Sequence, residues 1–448
     1  MTSSIKPVIK YLIKSTCSKT IGRTLQTSSC LYDSRAKLEH GHSLPEPEQQ
    51  VQQQQERNKE AGMMTELVRD FLDPAEFFSA VQNIGINFYC GVPDSLLSDF
   101  CAYVSIHVTK ENHIITANEG TAVAMAAGYH LATGKSAMVY LQNSGLGNAV
   151  NPLMSLAVPN VYSIPLLLLI GWRGEPGKRD EPQHRVQGQA TPGLLAALGI
   201  PFQPLPDYQE GAEQALQTAK QHMDSCKGPY AFLVKRQTFL PYKLPKSLSQ
   251  FPLNREGALK VIADCLGDRD VVVSTTGMLS RELFEHRAIK NQGHERDFLT
   301  VGSMGHASTI AMGISLYKPR RQVFCLDGDG SVIMHMGSLA TIGQNGPSNF
   351  KHIIINNGVH DSVGGQPTDA ANHENFLFPV IARGCGYKDA WVAVTEEEIK
   401  EGIIKMKKQE GPVMMEIKVD KGGRKDLGRP TRTPQENKAD FMHYLAIN

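Results

Sequence analysis

The chain has 448 residues, room for two or three domains of ordinary size. Hydrophobic residues make up 41% and charged residues 20%, the profile of a globular chain rather than a disordered or fibrous one. A net charge of +1 gives no reason to expect a nucleic acid or membrane surface as partner, and no apolar run reaches bilayer-spanning length.

The first 32 residues carry Lys6, Lys10, Lys14, Lys19 and Arg23, with no acidic residue before Asp33. Ile5, Val8, Ile9, Leu12 and Ile13 recur at the spacing of one helix face, with the lysines opposite. This basic, Ser/Thr-rich amphipathic segment predicts a mitochondrial transit peptide; the alternative is a disordered basic tail. Pro45-Glu-Pro47 and the glutamine-rich run from Gln49 to Gln55 follow as a linker, which buries too little apolar surface to order itself. Residues 1–63 are thus expected to be leader and linker, with folded structure starting near Met64. The eight cysteines, at 17, 30, 90, 101, 226, 265, 325 and 385, form no CxxC pair. Reduced thiols are expected, because a chain this long has no need of disulfides.

From about residue 65 the pattern alternates between short apolar runs and helical stretches. His113–Thr116 reads as a strand, Thr121–Ala132 as an alanine-rich helix ended by Gly134, and Ser136–Leu141 and Pro165–Gly171 as further strands. Strand, helix, strand in sequence predicts a parallel sheet with right-handed crossovers. Pro241, Pro245 and Pro252 interrupt the chain and mark a domain boundary. The second half repeats the logic, with strands at Asp270–Ser274, Gln322–Leu326, Lys351–Asn356 and Pro412–Val419. Helices are expected through Leu279–Phe284 and over Ser331–Gly343. The fold class is therefore α/β, two domains that are each a parallel sheet flanked by helices.

Within the unit 322–357, one strand ends at Asp327, the chain turns through Gly328-Asp329-Gly330-Ser331, and the next strand ends at Asn357, 28 residues after Asp329. Parallel strands place Asp329 and Asn357 at one carboxyl edge, where ligands bind in open α/β sheets. Magnesium takes a few oxygen ligands together with phosphate oxygens and water. Asp329, the Asn357 side chain and the Val359 carbonyl are candidate ligands. The glycines at 328 and 330 permit close approach of a diphosphate to the amides that open the helix. A dinucleotide fingerprint fails because residue 333 is Ile, and an EF-hand fails because 332 and 338 are Val and Ser.

Gly-Asp-Gly followed at this interval by Asn-Asn resembles the cofactor motif of the thiamin diphosphate-dependent decarboxylases, and the resemblance extends over nearly all of residues 65–440. It implies two thiamin diphosphate-binding-type domains, 64–243 for the aminopyrimidine and 253–448 for the diphosphate and magnesium. By the same resemblance Glu119, in Ala117-Asn-Glu-Gly-Thr-Ala122, hydrogen-bonds the pyrimidine. The Gly302 carbonyl meets the amino group, Met304 supports the thiazolium ring, and Thr275, Thr276 and Ser331 donate to the diphosphate.

Within that family the likeness is to the short two-domain subgroup that acts on phosphonopyruvate, with the sulfopyruvate decarboxylases beside it. It is carried by Gly91-Val-Pro-Asp94, Gln142-Asn-Ser-Gly-Leu-Gly-Asn148, Gly171-Trp-Arg-Gly-Glu-Pro-Gly177, Asp180-Glu-Pro-Gln-His184, Gly364-Gly-Gln-Pro-Thr368 and Asp426-Leu-Gly-Arg-Pro-Thr431. The resemblance implies decarboxylation of 3-phosphonopyruvate to phosphonoacetaldehyde, a step of phosphonate biosynthesis. Sulfopyruvate or another anionic 2-oxo acid is the near alternative, and a silent cofactor-binding protein the remote one. Asp94 and His184 are the proton-transfer candidates. Arg173, Arg185, Arg424 and Arg429, with Gln142 and Asn143, are the candidates for holding an anionic substrate. The family's habit of building one site from two subunits implies a dimer or larger assembly. The N-terminal 63 residues lie outside the family pattern and suggest an organelle-directed version.

Overall fold

The computed structural model describes residues 71–245, 250–424 and 426–447. The expected leader, the glutamine-rich linker and the start near Met64 lie outside the described residues.

Among the described residues, twelve strands form two six-stranded sheets. The first sheet contains β1 (Tyr89–Gly91), β2 (His113–Ile115), β3 (Ala137–Gln142), β4 (Leu166–Gly171), β5 (Phe202–Pro204) and β6 (Tyr230–Val234), in the order β2-β1-β3-β4-β6-β5. The second contains β7 (Val271–Ser274), β8 (Asp297–Leu299), β9 (Val323–Gly328), β10 (Phe350–Asn356), β11 (Asp389–Ala393) and β12 (Val413–Lys418), in the order β11-β12-β10-β9-β7-β8. Read from its other edge, the second order is that of the first, strand for strand. Every pairing is parallel.

The sequence dictates this burial. Leu166-Leu-Leu-Leu-Ile170 and Ile353-Ile-Ile355 are continuous apolar runs with no polar alternation, and each residue in them is buried. That is what a central parallel strand covered on both faces requires. Each sheet accordingly has two apolar layers. Phe77, Phe100 and Phe232 lie on one side of the first and Val123, Leu168 and Leu195 on the other. Leu259, Leu326 and Ile403 are similarly separated from Val273, Leu339 and Ile354 in the second.

The helix expected over Ser331–Gly343 is two shorter ones, Asp329–Met334 and Ser338–Asn345. His335 leaves helical geometry at φ −132°, ψ 46°, and Gly337 follows as N-cap of the second. Apolar periodicity persists across the break, which is why the spacing predicted one helix. The six described cysteines are all free, as expected. Among the described residues no helix is long and apolar enough to cross a membrane.

In an open sheet the ligand crevice lies where the strand order reverses. Here the reversals fall between β1 and β3 and between β7 and β9. Asp94 and Gln142 follow or end the first pair, and Thr275 and Asp329 follow the second.

Candidate active site

Asp329 opens its helix from the end of β9, completely enclosed. The Thr368 hydroxyl donates to its Oδ2, and the amides of Asn357 and Gly330 also point at the carboxylate. The structure thus brings Asp329 and Asn357 together at the edge the sequence predicted. Burial, opposed by Thr368 and the amides, still pushes the Asp329 carboxyl up to about 7. Among the described residues no cationic side chain supplies a hydrogen bond to it. A divalent cation would provide the missing charge, so the donor set fits a magnesium–diphosphate group.

Asn357 donates from Nδ2 to Asp361 Oδ2 at 2.7 Å and accepts at Oδ1 from the Val359 amide at 3.2 Å. Val359 is buried and bridges to Pro367, closing the loop that carries Thr368. Around this edge, Thr275 Oγ1 lies 2.9 Å from Ser331 Oγ, which accepts from the Gly305 amide at 3.1 Å. Those bonds tie Thr275 and Gly305, the residue after Met304, to Ser331 at the end of the Gly328–Ser331 turn. Thr276 stands next to Thr275 and is half-buried. Gly330 sits tightly: a Cβ there would stand 3.1 Å from His360 Cε1 and 3.4 Å from the Thr368 methyl, so those side chains would have to give by a few tenths of an ångström. Burial lowers the His360 ring to about 4, so it lies neutral over this turn.

Glu119 begins the helix Glu119–Thr133, which Asn118 caps by accepting from the Thr121 amide at 2.9 Å. Its carboxyl is buried, and Oε2 accepts from Asn148 Nδ2 at 2.8 Å. Burial raises its pKa against that bond, which favours the protonated carboxyl. Gly145 makes the room, since a Cβ there would lie 1.9 Å from Glu119 Oε1.

Asp94 is fully buried, accepts from Gln142 Nε2 and, at 2.8 Å, from the Leu96 amide, and has its pKa raised by burial. Gly171 clears its path, because a Cβ there would fall 1.9 Å from Asp94 Oδ2. Asn143 pins Arg173 by both ends of its amide: Nδ2 donates to the Arg173 carbonyl at 2.9 Å and Oδ1 accepts from its amide at 3.0 Å. The Arg173 guanidinium grips Asp180 at 2.9 and 2.6 Å and touches Ser95 Oγ at 3.1 Å. His184 keeps Nδ1 enclosed and unpaired; burial first, then the Arg173 charge, lowers its pKa and holds the ring neutral.

The two edges meet within one chain. Ile115, Thr116 and Ala117 line a small cleft with Gly330, Ile333, His360, Thr368 and Asp369. Asn118 Nδ2 reaches the Met334 carbonyl at 3.3 Å, and Gln183 lies where a Gly302 side chain would point, its Cγ 3.5 Å from that Cβ position. The other arginines lie apart from Asp94. Arg424 is held among Glu256, Glu285 and Asp426, Arg429 pairs with Glu181, and Arg185 is exposed. Thr368, Asn148, His360, Asp361 and Gln183 were not singled out as site residues. Three of them, Thr368, Asn148 and Gln183, fall inside stretches that carried the family likeness.

The comparisons agree with this geometry. The family model described as "Thiamine pyrophosphate enzyme, N-terminal TPP binding domain" matches residues 75–192, and "Thiamine pyrophosphate enzyme, C-terminal TPP binding domain" matches 275–417. A phosphonopyruvate decarboxylase from Streptomyces viridochromogenes is 32% identical over 83% of this chain and 94% of its own length. The chain belongs to the thiamin diphosphate-dependent decarboxylases. Other members it resembles are a sulfopyruvate decarboxylase from Methanosarcina acetivorans, 27% identical over 73% of this chain and 86% of that one, and a sulfopyruvate decarboxylase subunit beta from Methanocaldococcus jannaschii, 38% identical over 32% and 72%. Its cofactor is thiamin diphosphate, as in the family.

These relatives also overturn the mitochondrial, organelle-directed expectation. The phosphonopyruvate decarboxylase that matches most of the chain is bacterial, from a cell without mitochondria, and none of the relatives supports a transit peptide. A basic, Ser/Thr-rich segment is a compositional signal only, so it carries no destination by itself.

Magnesium binding should depend on pH through Asp329. Its folded pKa of about 7 lies above that of an unfolded aspartate, so the metal-free fold loses stability as pH rises from ~4 to ~7. Magnesium takes the ionised form. Its apparent affinity should therefore climb roughly tenfold per unit up to about pH 7 and then level off. Calorimetric titration at about pH 6 and about pH 8 reads this directly, and equal affinities would refute it.

Proposed function

We propose that the chain decarboxylates 3-phosphonopyruvate to phosphonoacetaldehyde and carbon dioxide. Residues 64–243 hold the aminopyrimidine end of the cofactor in this reading, and 253–448 hold its diphosphate with magnesium. The likeness to the Streptomyces phosphonopyruvate decarboxylase, which runs through almost its whole length, carries the substrate. Glu119 carries the chemistry.

When bound, thiamin diphosphate supplies the carbon nucleophile for the 2-oxo carbon and accepts the electron pair that carbon dioxide leaves behind. Asp329, Asn357 and the Val359 carbonyl hold magnesium, while Thr275, Thr276, Ser331 and the amides after Gly328 hold the diphosphate. Glu119, a buried carboxyl inclined to keep its proton, shares that proton with the pyrimidine nitrogen and so sets the ring's acid–base state. Gly302 and Met304 position the rings. Asp94, whose burial also favours the protonated form, is placed to deliver a proton to the product, and the neutral His184 offers an unpaired Nδ1 to receive one.

Among the candidate cations Arg173 is best placed for the phosphonate. Asn143 fixes its backbone, and its guanidinium reaches Ser95, next in sequence to Asp94. Gln142 adds a neutral donor. All three are paired with carboxylates, Arg173 with Asp180, Arg424 with Glu256 and Glu285, and Arg429 with Glu181, so it is the position of Arg173 beside Ser95 and Asp94, not a free charge, that favours it. The M. acetivorans relative supports sulfopyruvate as the second substrate.

We further propose that the chain self-associates. The helix that begins at Glu119 leaves Met125 and Leu131 exposed, and the helix Ala307–Tyr317 exposes Leu316 and Tyr317. Association through the first would bring a partner chain to the mouth of the site, the arrangement the resemblance implies.

Replacing Glu119 with Gln should lower turnover by at least about 100-fold while leaving cofactor binding within about threefold, since proton transfer alone is removed. Full activity in that variant would end the mechanism. Carbon dioxide release from the purified protein should be faster with phosphonopyruvate than with sulfopyruvate or pyruvate; faster sulfopyruvate turnover would reverse the substrate order. Sedimentation velocity should show a dimer or larger species at micromolar concentration, and a monomer throughout would remove the self-association proposal.

A further inference from the structure

Beyond the ligands themselves lies a buried chain of charges that has no role in the reading above. Asn357 offers a cation only one end of its carboxamide, the oxygen, and a carboxamide turned by half a rotation presents its NH2 instead. Asp361 decides which. A carboxylate only accepts, so the 2.7 Å contact between Asn357 Nδ2 and Asp361 Oδ2 turns the NH2 end toward Asp361 and the oxygen away from it. Oδ1 accepts once, from the Val359 amide at 3.2 Å, and keeps a second lone pair.

Asp361 is itself fixed from three directions. Arg255 Nη1 donates to Oδ2 at 2.8 Å, and the Gly422 amide lies 3.2 and 3.1 Å from the two carboxylate oxygens. Arg255, on the helix Arg255–Cys265, is buried and bound to Glu282 of the helix Met278–Ile289 through Nε at 3.2 and 3.0 Å and Nη2 at 2.9 Å. The segment after β12 closes over this guanidinium because residue 423 is glycine; a Cβ there would stand 2.7 Å from Arg255 Nη2. Asn357, Arg255 and the Gly422 amide, from three separate segments, converge on one side chain four residues beyond the metal ligand. Glu282 alone would balance the Arg255 charge, so Asp361 is not needed for that.

We infer that Asp361 is a positioning residue for the metal site: anchored by Arg255, it holds the Asn357 carboxamide with its oxygen free for magnesium. This rests on the assignment of Asn357 as a magnesium ligand. Groups that orient a metal ligand typically alter affinity 10–100-fold when removed.

The test uses the full chain and magnesium titrated calorimetrically with thiamin diphosphate in excess. Asp361→Ala should weaken magnesium about 10–100-fold, and Asp361→Asn, which keeps an acceptor but loses the charge Arg255 grips, by less. Excess magnesium should return most of the turnover in both, which a general loss of structure would not allow. Asn357→Ala is the reference. If it leaves magnesium binding unchanged, the ligand assignment fails. If it weakens binding while Asp361→Ala stays within about twofold of the parent, the positioning role is overturned. Should Asp361→Ala not fold, Asp361→Asn decides, and an unshifted magnesium affinity in it overturns the role equally.

Discussion

Taking a carboxylate out of water is expensive unless hydrogen bonds and an opposite charge replace the solvent. Asp329 is wholly enclosed, with one hydroxyl and a few amides around it, and its raised pKa records what they leave uncompensated. Much of the second half is arranged about that deficit. The glycines beside Asp329 keep its surroundings open to phosphate oxygens, the loop closed by Val359 and Pro367 brings Thr368 to it, and Asn357 adds a neutral oxygen. Without a cation the site favours a protonated acid; with one it becomes a charged cradle.

The first half meets a complementary demand. Glu119 and Asp94 are also buried carboxyls, but neutral donors face them, Asn148 and Gln142. Burial raises the pKa of both against those donors, with the Arg173 charge also opposing it at Asp94. One half is suited to fixing a doubly charged ion and the other to handling protons. Identical strand order puts these two environments at equivalent edges, and the contacts of Ala117 and Asn118 with Gly330, Ile333 and Met334 set them against each other.

Much of this was legible in the sequence because it is local or periodic. Continuous apolar runs announce central parallel strands, and a fixed interval within one strand–helix–strand unit announces a shared edge. The partners of the site residues were not legible. Thr368 lies 39 residues from Asp329, Asn148 lies 29 from Glu119, and Arg255 lies 106 from Asp361. No pattern along the chain encodes such a pairing. The arginines show the same limit from the other side. Composition offered several cations for a phosphonate, and only the fold shows which have already been taken by carboxylates. The helix break at His335 was invisible because apolar spacing survived it.

Each half seals its own apolar layers, with few residues crossing from one set to the other. A relative that matches about a third of this chain is named as a subunit in its own right. Joining the halves in one polypeptide therefore adds little to either core. What it changes is stoichiometry: the two halves are made in equal number, and each is born at high effective concentration of the other.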